Sequence, residues 1–151
     1  MVLAKSLIYT FRTNAFKDDL FGINNELFVF GKLKEDLNNF CSKILNGSPD
    51  LVIGVAKSDS YSRFESIAIN RFNKTKKIIR GGDPFFELFI PSNTEFNISK
   101  IATDSFCNWT AYGIMSFIKN NNLRTRLCFV HLNEKDTSNL RQLLHIISDS
   151  L

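Results

Sequence analysis

Residues 51–56 read LVIGVA, a short and uninterrupted apolar run that follows Pro49 and Asp50. Such a run predicts a β-strand that is buried on both faces, as in parallel sheets whose two sides are covered by helices. The segment Arg126–His131 contains a second run, LCFV, and Glu26–Gly31 contains a third, FVF. We therefore expect these strands to lie inside a helix-covered sheet.

Helical and strand patterns alternate along the rest of the chain. Apolar residues recur at three- and four-residue spacing across 34–45 and 136–148, which predicts two amphipathic helices. A third helix is expected from Asp104 or Ser105 to Asn120. Further strands are expected at Ser6–Thr10, Arg63–Asn70 and Phe96–Ala102, whereas 13–25 is polar and expected to be irregular. The alternation predicts one α/β domain over 1–151, with three α/β/α layers and a mostly parallel, mixed central sheet.

The composition excludes several classes of protein. The chain has 151 residues, 44% of them hydrophobic and 15 of them phenylalanine, with a net charge of +4, which indicates a packed core rather than a disordered chain. The apolar runs are much shorter than the ~20 residues that cross a bilayer, so no membrane partner is expected. Cys41, Cys107 and Cys128 lack CxxC spacing, which excludes a disulfide framework and a four-cysteine zinc site and indicates a reducing, cytoplasmic compartment.

Three polar side chains stand where an α/β fold places its chemistry. Cys107 falls near the start of a predicted helix, where free N–H groups and the helix dipole lower a thiol pKa and hold an oxyanion. His131 ends a predicted strand, at the sheet edge where sites are built. Glu65 lies in the strand pattern 63–70, where an inward carboxylate needs a partner. Position alone favours simpler interpretations of all three: a core cysteine, a structural histidine and an outward surface carboxylate.

Other candidates have simpler interpretations. Five basic residues within 71–80 could bind phosphate, but only Phe72 adds an aromatic ring there. We interpret this segment as a solvated loop and expect no nucleic-acid partner. His145 is interpreted as a surface or packing residue, and Cys41 and Cys128 lie in apolar stretches that are expected in the core.

Four segments together carry a family resemblance. Residues 105–113, SFCNWTAYG, contain a Cys-Asn pair at a predicted helix start, followed by a Tyr. Residues 128–131 end in Phe-Val-His, residues 63–70 contain Glu-x-x-Ala-x-Asn, and residues 49–56 form a Pro-Asp strand upstream. In their order along the chain and in their spacing, these motifs resemble those of pyroglutamyl peptidase I (pyrrolidone-carboxylate peptidase), a family of cysteine peptidases.

The resemblance implies a Cys–His–Glu thiol mechanism that needs no metal or other cofactor. In it, the Cys107 thiolate attacks the carbonyl of an N-terminal pyroglutamyl group, His131 carries the proton, and Glu65 orients the imidazole. The implied partner is a peptide or small amide substrate, and the oligomeric state stays open. Family members clasp the pyrrolidone ring with aromatic side chains and place a basic residue near the oxyanion. The candidate substrate-binding residues are Phe11, Phe16, Phe106 and Lys74, with Lys76 as an alternative to Lys74.

The sequence departs from the family in the segments that surround the substrate. It is shorter between Asn70 and Cys107 and in its N-terminal part, and Thr103 replaces a small glycine before the nucleophile. Asp104 would raise the thiol pKa if it lay close to the sulfur, or would cap the helix. Three interpretations stay open: a pyroglutamyl peptidase, a thiol hydrolase of another small amide, lactam or ester, and an inactive relative that acts as a binding module.

Overall fold

The computed structural model describes residues 5–24, 26–92, 94–103 and 105–151. In chain order, its elements are β1 Ser6–Phe11, α1 Lys17–Ile23, β2 Phe28–Phe30, α2 Leu33–Gly47, β3 Leu51–Lys57, β4 Arg63–Glu65, β5 Ile67–Ile69, β6 Phe85–Glu87, β7 Asn97–Ser99, α3 Phe106–Asn120, β8 Arg126–Leu132, a 3-10 helix Glu134–Asn139 and α4 Leu140–Asp149. Within these ranges, no helix combines the length and apolar character that a membrane crossing requires.

The central sheet has the strand order β2-β1-β3-β8-β4-β7. Its first four strands run parallel to one another, while β4 pairs antiparallel with β8 and parallel with β7. β5 and β6 form a separate antiparallel pair. The predicted α/β fold with a mostly parallel, mixed sheet is therefore confirmed.

Alternate side chains of β3 enter two different cores, because successive residues of a strand point to opposite faces. Leu51, Ile53 and Val55 pack with the apolar side chains of α1 and α4. Val52 and Ala56 pack on the other face with those of α2 and α3. Helices thus cover both faces of the sheet, which is the three-layer arrangement that the apolar run predicts.

Gly54, in the middle of β3, lets two aromatic rings approach the sheet closely. A Cβ atom at this position would lie 2.4 Å from Cζ of Tyr9 and 2.5 Å from Cδ2 of Phe129. Both rings are fully buried, and the Phe129 ring packs against the imidazole of His131 with 5.0 Å between centroids. The absence of a side chain at Gly54 therefore shapes the layer beneath His131.

Two expectations for the N-terminal part are wrong. The segment 13–25 contains α1, which places Leu20 and the preceding Phe16 in the core; a helix this short gives little apolar periodicity. The segment 26–31 is not buried on both faces, because β2 is an edge strand and Val29 is exposed. The apolar FVF run instead packs Phe28 and Phe30 against Phe40 of α2.

Two further elements differ from their predictions. The single strand expected over 63–70 is two strands, because Ser66 donates its N–H to Ser99 and accepts from the N–H of Leu88. β4 consequently stays in the central sheet while β5 pairs with β6. The helix expected over 136–148 begins as a 3-10 turn, where the Asn133 side chain accepts from the N–H of Lys135, and only α4 is α-helical.

Candidate active site

β4 and β8 bring a carboxylate and an imidazole together at the sheet edge. The strands are antiparallel, with Arg63 opposite His131 and Glu65 opposite Phe129. Nδ1 of His131 lies 2.7 Å from Oε1 of Glu65, and each side chain is 9% exposed. The strand pattern alone favours an outward surface carboxylate at Glu65, whereas in the structure the side chain is buried and paired. The hydrogen bond fixes the orientation of the imidazole ring.

Cys107 faces this pair from the first turn of α3. It lines a small cavity together with Glu65 and His131, and the cavity volume of about 10 Å³ is that of roughly one water molecule. Within the described residues, no hydrogen bond joins the thiol of Cys107 to the imidazole of His131. The three candidate catalytic residues from the sequence therefore share one cavity, with the carboxylate and imidazole already bonded to each other.

Asn108 anchors the start of α3 against the neighbouring chain. Its side-chain amide donates to the carbonyls of Ile69 and Arg71, and its carbonyl oxygen accepts from the N–H of Ile69. The side chain is buried, so these bonds satisfy polar atoms that water does not reach. The Cys-Asn pair in the sequence thus joins a cavity-lining thiol to the residue that holds its helix in place.

The thiol of Cys107 is protonated at neutral pH in this state. Burial raises its pKa to about 11; the Ser105 hydroxyl opposes this rise, the charge of Glu65 adds to it, and the charge of Arg63 opposes it. The backbone N–H at the helix start does lower the pKa of Cys107, as expected, but desolvation of the sulfur outweighs it and the net shift is upward. Asp104, the other group expected to affect the thiol, lies outside the described residues.

Glu65 is held as a carboxylate despite its burial. Burial raises the pKa of Glu65, but the hydrogen bond and charge of His131, followed by those of Arg63, outweigh it and leave the pKa below its ordinary value. Nε of Arg63 lies 2.9 Å from the same oxygen, Oε1, that accepts from His131. The carboxylate is therefore a stable acceptor for the imidazole N–H.

A second and larger cavity also borders Cys107. Its volume is about 190 Å³, and Phe11, Phe106 and Cys107 line it together with Asn14 and Lys57. Two of the candidate substrate-binding residues, Phe11 from β1 and Phe106 from α3, are therefore brought beside the thiol. Phe106 is 55% exposed, and its ring packs on that of Phe72 with 5.5 Å between centroids.

The structure places the other candidate substrate-binding residues away from both cavities. Phe16 is buried in the core on the α1 and α4 side of the sheet, because its N–H bonds to Oδ1 of Asn14 in a turn that directs the chain there. Lys74 is exposed in a turn, with a positive φ of 67°. Its alternative, Lys76, is also exposed, and its backbone pairs with that of Phe72.

The remaining cysteines are structural. Cys41 and Cys128 are buried, as expected; burial raises the pKa of Cys41 to about 11 and that of Cys128 further. His145 is exposed on α4, and the basic residues of 71–80 are exposed in a loop. Among the described residues, no group of three or more His, Cys, Asp or Glu side chains is arranged to hold a metal ion.

Sequence reasoning missed two charged residues of the site. Arg63 forms an ion pair with Glu65. Residues two apart on one strand share a face, so this spacing could have predicted the pair. Lys57, at the end of β3, lines the larger cavity and pairs with Glu134 at 3.1 Å and Asp59 at 3.7 Å. No local pattern identifies Lys57, because its nearer partner, Glu134, comes from a distant part of the sequence.

No protein-family model matches the sequence, and no curated protein matches it. The fold nevertheless matches that of pyroglutamyl peptidases of known structure. Pyroglutamyl peptidase I from Bacillus amyloliquefaciens matches with a TM-score of 0.74 and 17% identity, over 99% of this chain and 95% of that chain. Pyrrolidone carboxyl peptidase from Thermococcus litoralis matches with a TM-score of 0.72 and 16% identity, over 87% and 77% of the two chains. The enzyme from Pyrococcus furiosus matches with a TM-score of 0.67 and 18% identity, over 85% and 80%.

Proposed function

We propose that this protein is a cysteine peptidase that removes pyroglutamate from the N-terminus of peptides. The observation that carries the proposal is the bonded Glu65–His131 pair, which shares a cavity with the thiol of Cys107 at the start of a helix. A thiol, an imidazole and a carboxylate in this order form the usual assembly for acyl transfer. The likeness of the fold to that of pyroglutamyl peptidases adds support.

The proposed reaction has two stages, acylation of Cys107 and hydrolysis of the thioester, and His131 carries one proton in each stage. His131 takes the proton from the thiol as sulfur attacks the substrate carbonyl, and Glu65 stabilises the resulting imidazolium. Backbone N–H groups in the first turn of α3, which have no partner within the helix, hold the oxyanion. The C–N bond then breaks, His131 protonates the leaving amine, and water hydrolyses the thioester to release pyroglutamate and the thiol.

The cavity beside Phe11 and Phe106 is the proposed binding site for the pyroglutamyl ring. Its volume of about 190 Å³ accommodates a five-membered lactam, and the two phenyl rings supply apolar surface next to the thiol. Phe106 would supply the aromatic contact with the ring that the family resemblance implies, whereas Phe16 lies in the core and does not line the cavity.

A second candidate function is hydrolysis of a different small amide or lactam by the same thiol. The observation that favours it is Lys57, a cationic residue that lines the larger cavity. An uncharged pyrrolidone ring gains little from a cation, whereas a substrate with an anionic group would gain an ion pair. Glu134 and Asp59 already neutralise Lys57, which is why the pyroglutamyl substrate remains the first proposal.

The test is hydrolysis of a fluorogenic pyroglutamyl amide by the wild-type protein and by Cys107→Ala and His131→Ala. Turnover is expected in the wild type alone, while the control variant Cys41→Ala, which changes a thiol in the core, should retain it. Equal background turnover by the wild type and Cys107→Ala would reject the proposal. A panel of amides with anionic side chains, measured in parallel, distinguishes the second candidate. Inertness toward every amide would indicate a binding module.

A further inference from the structure

Arg63 makes three contacts that have no part in the proposed mechanism. It stands two residues before Glu65 on β4, so both side chains project from the same face of the strand. Nε of Arg63 lies 2.9 Å from Oε1 of Glu65, and Nη1 lies 3.1 Å from the hydroxyl oxygen of Ser58. That hydroxyl donates to the carbonyl of Tyr61, whose ring lies beneath the guanidinium at 5.7 Å. The guanidinium is therefore fixed on three sides.

The single carboxylate oxygen Oε1 of Glu65 serves both neighbours. It accepts from Nδ1 of His131 at 2.7 Å and from Nε of Arg63 at 2.9 Å. When the imidazole is neutral, the His131 N–H supplies a hydrogen bond but no charge. Arg63 is permanently charged. While the imidazole is neutral, Arg63 is therefore the contact of Glu65 that compensates the buried negative charge. An unpaired carboxylate at this depth would instead take up a proton.

We propose that Arg63 is a positioning residue, which keeps Glu65 ionised and fixed against Nδ1 of His131 throughout the catalytic cycle. This inference rests on the proposed function, because it assigns Arg63 a part in the same site. A protonated Glu65 would offer a weaker acceptor and could present its O–H to the ring, which would release the imidazole from its orientation. Arg63 thus acts through Glu65 and does not touch the reacting atoms.

Several charged or titratable groups face the thiol and the carboxylate. They are Arg63 and Glu65 from β4, His131 from β8, Lys57 from the end of β3 and Tyr9 from β1. The charge of Glu65 raises the pKa of Cys107 and that of Arg63 lowers it, so the two side chains oppose each other at the sulfur. Arg63 therefore also offsets the unfavourable effect of the carboxylate on the thiolate.

The test compares Arg63→Met, which removes the charge, with Arg63→Lys, which keeps it, and with Arg141→Met as an exposed control. ¹³C NMR of the Glu65 carboxyl carbon measures its titration directly and requires no turnover. We expect Arg63→Met to raise the titration midpoint by at least about one pH unit and Arg63→Lys to recover most of that change. In pyroglutamyl hydrolysis, the acidic limb of the pH profile should move upward by a similar amount. An unchanged midpoint in folded Arg63→Met would overturn the inference.

Folding and function can be separated in this experiment. If Arg63→Met does not fold, the double variant Arg63→Met, Glu65→Gln removes the uncompensated carboxylate and should fold again. Failure of the double variant to fold would assign Arg63 a general structural role and overturn the inference. If the wild-type protein hydrolyses no pyroglutamyl amide, the proposed function fails, while the Glu65 titration still decides whether Arg63 controls the carboxylate.

Discussion

Nδ1 of His131 and Oε1 of Glu65 lie 2.7 Å apart on two antiparallel neighbours of an otherwise mostly parallel sheet. The reversal of β4 is what allows this contact. β8 runs parallel to β3 and ends at the edge where His131 stands, while β4 runs back beside it and places Glu65 opposite Phe129, two residues before His131 on β8. The split of the 63–70 segment at Ser66 limits β4 to three residues, so the carboxylate sits at the end of the strand next to the cavity.

Replacing Glu65 by glutamine tests the orienting role of the carboxylate. Glu65→Gln keeps the shape but removes the charge, and its NH₂ group can bind the imidazole in the wrong tautomer. We expect kcat/KM for a pyroglutamyl amide to fall by about 10²- to 10⁴-fold, with little change in KM. Steady-state kinetics measures the change, and Glu87→Gln, on an exposed strand position, is the matched control. A decrease confined to KM would contradict the role.

Stability should depend on pH through the same carboxylate. The pKa of Glu65 is lower in the folded protein than its ordinary value, so the folded state binds protons less readily than the unfolded chain. The stability contributed by Glu65 is therefore complete above about pH 5 and is lost as the pH falls through the folded pKa. Urea unfolding across this range should show a steeper loss for the wild type than for Glu65→Gln. Parallel curves for the two proteins would contradict the assignment.

The three thiols should differ in their reactivity toward iodoacetamide. Cys107 lines both cavities, but its pKa of about 11 leaves only about one molecule in ten thousand as thiolate at pH 7. Its alkylation should be slow at neutral pH and rise about tenfold per pH unit up to pH 9. Cys41 and Cys128 are buried and should react only after unfolding. Mass spectrometry of peptides locates the label, and a rate for Cys107 that is constant above pH 7 would show a thiolate already formed at rest.

The sequence was sufficient for the fold class because its strongest signals are apolar runs. LVIGVA and LCFV became the adjacent central strands β3 and β8, where burial on both faces leaves no other arrangement for such residues. The FVF run shows where that reasoning fails: the same composition forms an edge strand when one face packs against an aromatic group from α2. The periodicity and hydropathy of a segment indicate how it is buried, but they do not indicate which strands become neighbours in the sheet.

The candidate site was partly predictable for a related reason. Local pattern locates Cys107 at a helix start and His131 at a strand end, but position alone favours a core cysteine and a structural histidine. The resemblance to the pyroglutamyl peptidase I family is what selects them as candidate catalytic residues. The ion pair of Arg63 with Glu65 can be predicted only if these side chains are known to face inward. The sequence pattern of 63–70 leaves this undecided, because the strand is interrupted at Ser66. Phe16 is assigned to the substrate only through the family resemblance, whereas the turn after Asn14 places it in the core on the opposite face of the sheet.

Substituting Gly54 tests whether the layer beneath His131 is as tightly packed as the distances indicate. A Cβ at this position would lie 2.4 Å from Cζ of Tyr9 and 2.5 Å from Cδ2 of Phe129, and both rings are enclosed on every side. We expect Gly54→Ala to lower the free energy of unfolding by about 1–3 kcal/mol, the usual cost of overpacking. Because Phe129 packs against the His131 imidazole, pyroglutamyl hydrolysis should fall as well.

The matched control is Gly22→Ala, in α1, where a Cβ would meet nothing within 4 Å. An alanine is the better helix former by about 0.5–1 kcal/mol, so this variant should be at least as stable as the wild type and equally active. Urea unfolding and hydrolysis of the same amide measure both effects on both proteins. If Gly54→Ala were as stable and as active as Gly22→Ala, the Tyr9 and Phe129 rings would have room to move away from the strand. The position of His131 would then have to be fixed by Glu65 alone, without support from the aromatic layer below it.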